Sequence, residues 1–246
     1  MKILVCISKA PDTTTKITFT ENNTKFNSDK VTYIVNPYDE WYALVRGLEL
    51  KESLGGSVTT VTVGTAADEP TIRKALAIGA DNAVRIDAEA TDAFFVAQQI
   101  ANYAKENGFD LVLCGKETID YNGSQVGGMI AGLLDQPYVA LASHLEVSGT
   151  VATVKRDIPG GVETLEVDLP AVISASKGMA EQRIPNMRGI MAARTKPLEV
   201  VPASADKKLT SVKEYELPPA KGDCKYVDAE NVSELVELLH NEAKAI

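Results

Sequence analysis

This 246-residue chain has little of what most bond-making chemistry needs. Its three cysteines, Cys6, Cys114 and Cys224, are too few and too scattered for a CxxC metal site or a disulfide framework. Cys6 and Cys114 sit inside apolar runs, where cysteine behaves as a small hydrophobe, and this usage fits a reducing compartment. Only two histidines occur, His144 in a strand-like pattern and His240 near the end of the chain, and neither has a partner visible in the sequence. No Ser-His-Asp order, HExxH, GxSxG or metal-ligand spacing appears, so the sequence suggests binding and docking rather than catalysis. Positive charge is also short: 25 basic against 34 acidic side chains leave a net charge of -9. That balance argues against nucleic-acid or anionic-membrane partners, although a local anion pocket remains compatible with it. The first apolar run, residues 3–7, stops at Ser8-Lys9, far short of the roughly 20 residues a membrane span needs. A soluble, cytoplasmic protein without membrane insertion is therefore expected. An apolar fraction of 45% and a charged fraction of 24% are ordinary, and the length predicts one large globular domain.

What is present is a regular alternation. Residues 2–8 read as a central strand buried on both faces. A polar Thr/Asn-rich stretch follows, with weak strand alternation over residues 16–20. Asn36-Pro37 offers an N-cap and a first-turn proline, and Asp39-Glu40 suit the positive end of a helix dipole, predicting a helix that runs to Leu54 before Gly55-Gly56. Strands are predicted over 58–63, 83–86 and 110–114, and helices over 69–78, 92–106 and 124–134. Strands alternating with helices of 10 to 15 residues imply right-handed crossovers and a doubly wound, mostly parallel α/β sheet with helices on both faces. After Pro137 four strand-like runs (138–147, 150–156, 161–167 and 171–176) indicate an antiparallel element or an edge extension. From Ser176 the chain reads as basic and irregular, and then as Pro-punctuated to Pro219: either disordered or an arm packed on another molecule. A short terminal helix closes it, with Asn231-Val232-Ser233-Glu234 resembling a capping box. The implied division is an α/β domain over 1–175, a basic, irregular segment over 176–196, and a C-terminal arm and helix over 197–246.

Three segments could carry function. Gly115-Lys116-Glu117-Thr118-Ile119-Asp120-Tyr121-Asn122-Gly123-Ser124-Gln125-Val126 lies between a buried strand and a helix, at the sheet edge where doubly wound folds place ligands. Its two glycines allow close backbone approach, Ser124 offers a hydroxyl, and the helix start offers free N–H groups for phosphate oxygens. It is neither GxGxxG nor a P-loop, so the pattern fixes no particular nucleotide, and a polar strand-to-helix loop is the plain alternative. Asn36-Pro37-Tyr38-Asp39 reads first as a helix start, near the same edge; with the strand ends at Cys6 and Val63 it would complete an adenine-sized slot. The third, residues 176–196, interleaves Arg183, Arg188, Arg194 and Lys196 with Met179, Ile184, Met187, Ile190 and Met191. Flexible thioethers suit a surface that packs against several partners, while a solvated basic loop is the bland reading.

Together these segments resemble the β subunit of electron transfer flavoproteins. The resemblance spans nearly the whole chain, from Met1-Lys2-Ile3-Leu4-Val5 and Lys9-Ala10-Pro11-Asp12 to Ile190-Met191-Ala192-Ala193-Arg194. Its most specific piece is Arg156-Asp157-Ile158-Pro159-Gly160-Gly161-Val162-Glu163-Thr164-Leu165, continuing through Leu169-Pro170-Ala171-Val172-Ile173-Ser174. Pro159 departs from the family, which usually has an acid there.

The resemblance implies a non-catalytic electron-carrier subunit, paired with an α subunit in a heterodimer that shares an FAD and serves flavoprotein dehydrogenases such as acyl-CoA dehydrogenase. It implies that residues 115–126 wrap a buried structural AMP, aided by Cys6, Asn36, Pro37, Tyr38, Asp39 and Val63. In electron-bifurcating members the same site holds part of a second FAD and the protein oxidises NADH. Tyr38-Asp39 looks somewhat like that form, but the following helix lacks its usual acidic pair, and the balance favours AMP. Residues 176–194 match the family's recognition loop, where Met187 takes the place of an anchor that is usually Leu, flanked by Arg183, Ile184, Arg188, Ile190 and Met191. An adenine-nucleotide ATPase or sensor module of similar architecture, or a purely structural assembly protein, are the readings of other classes.

Overall fold

The computed structural model describes residues 1–117, 123–204 and 207–246. In chain order it comprises β1 (Lys2–Cys6), β2 (Lys9–Pro11), β3 (Phe19–Thr20), β4 (Lys25–Phe26), β5 (Tyr33–Val35), α1 (Glu40–Leu54), β6 (Ser57–Gly64) and α2 (Glu69–Ile78). Then follow β7 (Asn82–Asp87), α3 (Ala93–Asn107), β8 (Leu111–Gly115), α4 (Val126–Leu134), β9 (Tyr138–Ser148), β10 (Val151–Ile158), β11 (Gly161–Asp168), β12 (Ala171–Ala175), α5 (Met187–Ala193), β13 (Leu198–Pro202) and α6 (Val232–Glu237).

One large sheet has the order β11-β10-β9-β12-β8-β1-β6-β7-β13. From β9 to β13 all neighbours pair in parallel, while β10 and β11 extend the β9 edge antiparallel. The mostly parallel α/β architecture with an antiparallel extension is thus the one the alternation predicts. Each central strand is apolar on both faces because each face meets helices. Ile3 and Val5 of β1, with Leu111 and Leu113 of β8, pack in the cluster that holds Leu44 and Leu48 of α1 and Leu76 of α2. Their neighbours Leu4, Cys6, Val112 and Cys114 join Phe95 and Ile100 of α3 and Ile130 of α4 on the other side. Ile3, Leu4, Leu44, Leu48 and Leu113 are fully buried, and each such side chain stabilises the fold by roughly 1.5–3 kcal/mol. The chain winds outward from β1 to β6 and β7, then returns across the opposite face to β8, so the winding reverses between β1 and β8.

Several local expectations change. The first long helix begins at Glu40, with Asp39 before it, and not at Pro37 after an Asn36 cap: Asn36 Oδ1 accepts from Tyr38 N–H (3.1 Å) as a cap would, but residues 37–39 form a turn, and Asn36 Nδ2 donates to the Glu117 carbonyl (3.3 Å). The polar stretch forms two small antiparallel pairs, β2 with β5 and β3 with β4, of which only Phe19 and Thr20 come from the alternating run. β12 is not part of the antiparallel element; it inserts between β8 and β9 and pairs with both in parallel. Residues 187–193, read as irregular, form α5, capped by Asn186 accepting from Gly189 N–H at 2.8 Å. Residues 198–202, read as tail, form β13, which adds to β7 at the sheet edge. The terminal helix is as expected: the Asn231 side chain accepts from Glu234 N–H and donates to the Glu234 carboxylate.

Candidate functional site

The carboxyl ends of β1 and β8 flank the reversal point, the place where open α/β sheets leave a crevice outside the strands. Gly115 closes β8 there, and its lack of a side chain is required by packing. A Cβ at this position would lie 2.9 Å from both Asp39 Cβ and Glu40 Cγ, tighter than real contacts allow. The missing side chain lets the end of β8 rest directly on the start of α1. Glu40 completes the junction by accepting from Ser8 N–H and from the Ser8 hydroxyl, both at 2.6 Å, which ties the chain leaving β1 to the same helix. Lys116 N–H donates to the Ala175 carbonyl at 3.0 Å, bringing in the end of β12.

A cavity of about 260 Å³ opens at this junction, lined by Tyr38, Asp39, Tyr42, Lys116, Glu117, Ser176 and Lys177. Burial pushes the Asp39 carboxyl up to about 6; Glu117 adds to this, while Lys116 and a backbone hydrogen bond from Glu117 oppose it. Lys116 pairs with Glu117 at 2.9 Å, and that contact raises its ammonium above the ordinary lysine value. Beneath the cavity wall the Cys6 and Cys114 thiols are buried; burial raises both, that of Cys114 to about 12, so both are neutral fillers and not nucleophiles. Helix α4 follows Gln125, whose side chain makes no cap hydrogen bond, so among the described residues its first N–H groups have no side-chain cap. Ser124, in the left-handed region at φ 52°, donates its hydroxyl to the Lys116 carbonyl at 2.8 Å and so closes the approach to α4 against the cavity wall.

The structure therefore gathers Cys6, Asn36, Asp39, Gly115, Lys116, Glu117 and Ser124 around one junction. Gly123, Gln125 and Val126 lead from it into α4, Pro37 precedes its Asp39 corner, and Tyr38 stands 55% exposed at its mouth. Val63 does not line the cavity; it is buried with Cys6 in the cluster on the α3 and α4 side. Thr118, Ile119, Asp120, Tyr121 and Asn122 lie outside the described residues. Sequence reasoning missed four participants. Tyr42 lies in the first turn of α1, just past Tyr38 and Asp39, Ser176 and Lys177 arrive because β12 lies beside β8, and Ser8 through its bonds to Glu40.

The basic, methionine-bearing segment is a second, separate region. It is anchored at three points: Arg183 forms a bidentate pair with Glu52 at 2.7 and 3.1 Å while its carbonyl accepts from Trp41 Nε1, Arg73 donates to the carbonyls of Ala193 and Lys196, and the Lys196 ammonium caps the end of α2 at the Leu76 and Ala80 carbonyls. Met179 is buried. Between these anchors Ile184 is 80% and Met187 73% exposed, with Arg188 and Met191 also outside, while Ile190 lines a groove of about 530 Å³ against α2. Of the two histidines, His144 Nε2 lies 3.2 Å from the Glu146 carboxylate, and His240 is exposed in the terminal turn. Among the described residues no group of three or more His, Cys, Asp or Glu side chains is placed to hold a metal ion, and no helix is long and apolar enough to cross a membrane.

Comparison with known proteins agrees with the architecture. The electron transfer flavoprotein domain model matches residues 24–206. The chain is 38% identical to electron transfer flavoprotein subunit beta of Bacillus subtilis, over an alignment of 261 positions, gaps included, that covers 100% of both chains. It is 35% identical to that of Syntrophomonas wolfei, over 90% of this chain and 87% of the relative, and 36% identical to the human subunit, over 82% and 81%. By family model, by identity and by the shared length, this chain belongs to the electron transfer flavoprotein β-subunit family.

Proposed function

We propose that this chain is the nucleotide-holding β subunit of a cytoplasmic electron-transferring heterodimer. Its partner is an FAD-carrying α subunit, and its role is to hold AMP as a structural ligand and to dock flavoprotein dehydrogenases. The observation that carries this reading is the junction of β1, β8 and α1, where Gly115 admits close backbone approach beside a cavity and, among the described residues, the first N–H groups of α4 have no side-chain cap. Backbone donors at a helix start suit phosphate oxygens, and a helix dipole favours that charge. Cys6 and Asn36 are buried behind the junction and do not line the cavity: Asn36 supports it by bonding Tyr38 and Glu117, two of the lining residues. A ligand that binds only the folded chain stabilises it by mass action, so AMP in this reading serves the fold and its assembly and is not consumed.

The FAD of the α subunit supplies the redox chemistry when bound. This chain's residues hold the nucleotide, shield the junction from water and present the α5 segment, where the exposed Met187 would seat in an apolar pocket of the dehydrogenase. Releasing the ligand of the native complex by denaturation and identifying it by chromatography tests the reading. AMP supports it, FAD in the β-subunit site together with NADH oxidation would replace it with the bifurcating form, and no adenine nucleotide would remove the site.

A further inference from the structure

Past β13 the chain doubles back over its own body. The Ser204 backbone and hydroxyl donate to Gln99 Oε1 of α3 at 2.8 and 3.2 Å. Farther on, Leu209 N–H, Thr210 N–H and the Thr210 hydroxyl converge on one oxygen, Asp92 Oδ2, at 3.0, 2.7 and 2.8 Å. The other oxygen of the same carboxylate, Oδ1, caps α3 by accepting from Phe95 N–H at 2.7 Å. Asp92 is 8% exposed. The ammonium groups of Lys207 and Lys208 lie over the rings of Phe94 and Phe95, and Tyr215 then stacks on Phe19 at 5.0 Å while its N–H donates to the Asn23 carbonyl. Between these fixings the side chains of Leu209, Val212 and Leu217 are each about half exposed.

We propose that Asp92 is an assembly latch: one oxygen caps α3 and the other fixes residues 207–215 on their own chain, so that the arm is ordered before a partner arrives. The proposal rests on the heterodimer reading above for the identity of that partner, the α subunit, but the latch itself is a property of the isolated chain. The division of labour between the two oxygens follows from their partners. A backbone donor at the third helical position needs an acceptor, which aspartate and asparagine supply equally well. Two consecutive backbone N–H groups and a hydroxyl on one oxygen, with a helix N–H on the other, need acceptors on both sides of the side chain: a carboxylate supplies both, whereas asparagine has one acceptor oxygen and leaves one set of donors facing its NH2 group. An arm ordered in advance loses less conformational freedom when its apolar side chains are covered, which favours association. Asp92 is thus a positioning residue for assembly, without a part in electron transfer.

The test is limited trypsin digestion of the full-length chain, reading cleavage at Lys207 and Lys208 by mass spectrometry, together with hydrogen exchange at the Leu209, Thr210 and Phe95 amides. The wild-type chain alone is expected to resist cleavage there. D92N, whose one amide oxygen can serve the cap or the arm but not both, is expected to keep the cap and to raise cleavage at these two lysines and exchange at Leu209 and Thr210 by about 10- to 100-fold, the range for hydrogen bonds to a charged group, with Phe95 still protected. T210V, which touches no helix, should give a smaller increase of the same kind. Wild-type cleavage as fast as in D92N, or loss of protection at Phe95 together with the arm, would overturn the latch and leave Asp92 as a helix cap. With the native α subunit, D92N should re-form the heterodimer at least several-fold more slowly at unchanged nucleotide content; an unchanged rate would overturn the assembly role. Failure of the chain to purify with any flavin-bearing partner would count instead against the heterodimer reading, leaving the protease result standing.

Discussion

The junction at β1 and β8 and the segment around α5 are built in opposite ways. At the junction the backbone comes close, Asn36, Asp39 and Glu40 are buried, and each polar group is committed to a neighbouring strand or helix end. Around α5 the commitments are made by long cations at the ends of the segment, Arg183, Arg73 and Lys196, and the middle is left apolar and exposed. In the proposed reading the first construction is suited to a small ligand held in one geometry, and the second to a surface held in place with its tip left free to fit another protein. A change at the junction should therefore cost both fold and nucleotide, whereas a change on α5 should cost docking alone.

The largest effect is expected from G115A. Its new Cβ would meet Asp39 and Glu40 at 2.9 Å, so α1 or β8 must shift, at a cost of roughly 1–3 kcal/mol. Thermal melting should register the loss, and nucleotide content should fall with it; a variant that melted normally and kept its ligand would break the distinction between the two regions. Next comes R73A, which leaves the Ala193 and Lys196 carbonyls without their donor, at a cost of about 1–3 kcal/mol. Hydrogen exchange should rise over residues 187–196 while nucleotide content stays constant.

Asp39 sharpens the junction side through pH. Burial raises its folded value to about 6, above the unfolded value, so the neutral form favours the fold. That contribution is complete below the unfolded value and is lost as pH rises through about 6. D39N should therefore match the wild type at pH 4 and exceed it in stability at pH 8, by roughly 1 kcal/mol, as read from paired melting curves. Equal curves at both pH values would mean that the carboxyl is better solvated than its burial implies.

The smallest effect on the fold is expected from M187A. With 73% of its surface exposed, its loss should change stability by less than about 0.5 kcal/mol, yet electron transfer from a cognate dehydrogenase should drop several-fold at constant nucleotide content. A parallel loss of stability and nucleotide would move α5 from docking surface to core element.

Much of this contrast is legible in the sequence, and the reasons are physical. Central strands such as residues 3–6 and 111–114 are apolar on both faces because helices cover both, which makes runs that stand out against polar loops. Gly115 and Asn36 also stand out, as punctuation at strand and helix boundaries. What stays hidden depends on long-range partners. Asn36 carries the pattern of a helix cap and does accept from Tyr38 N–H, but it also donates to the Glu117 carbonyl across the junction, and the regular helix starts at Glu40, three residues after Pro37. Residues 187–193 are too short to be stable as an isolated helix and form one only where Arg73 and the surface of α2 receive them. Residues 198–202 make an edge strand with mixed exposure and no clean alternation. Ser176 and Lys177 reach the cavity only because β12 inserts between β8 and β9, a topological fact that no local pattern encodes.

The central claim is that the junction of β1, β8 and α1 holds an adenine mononucleotide, and that the docking segment does not. Its most direct test is the nucleotide content per heterodimer of wild type, G115A and M187A, purified side by side and released by denaturation. One AMP per heterodimer in the wild type and in M187A, with a clear loss in G115A, is the predicted result; full AMP in G115A, or none in the wild type, would contradict it.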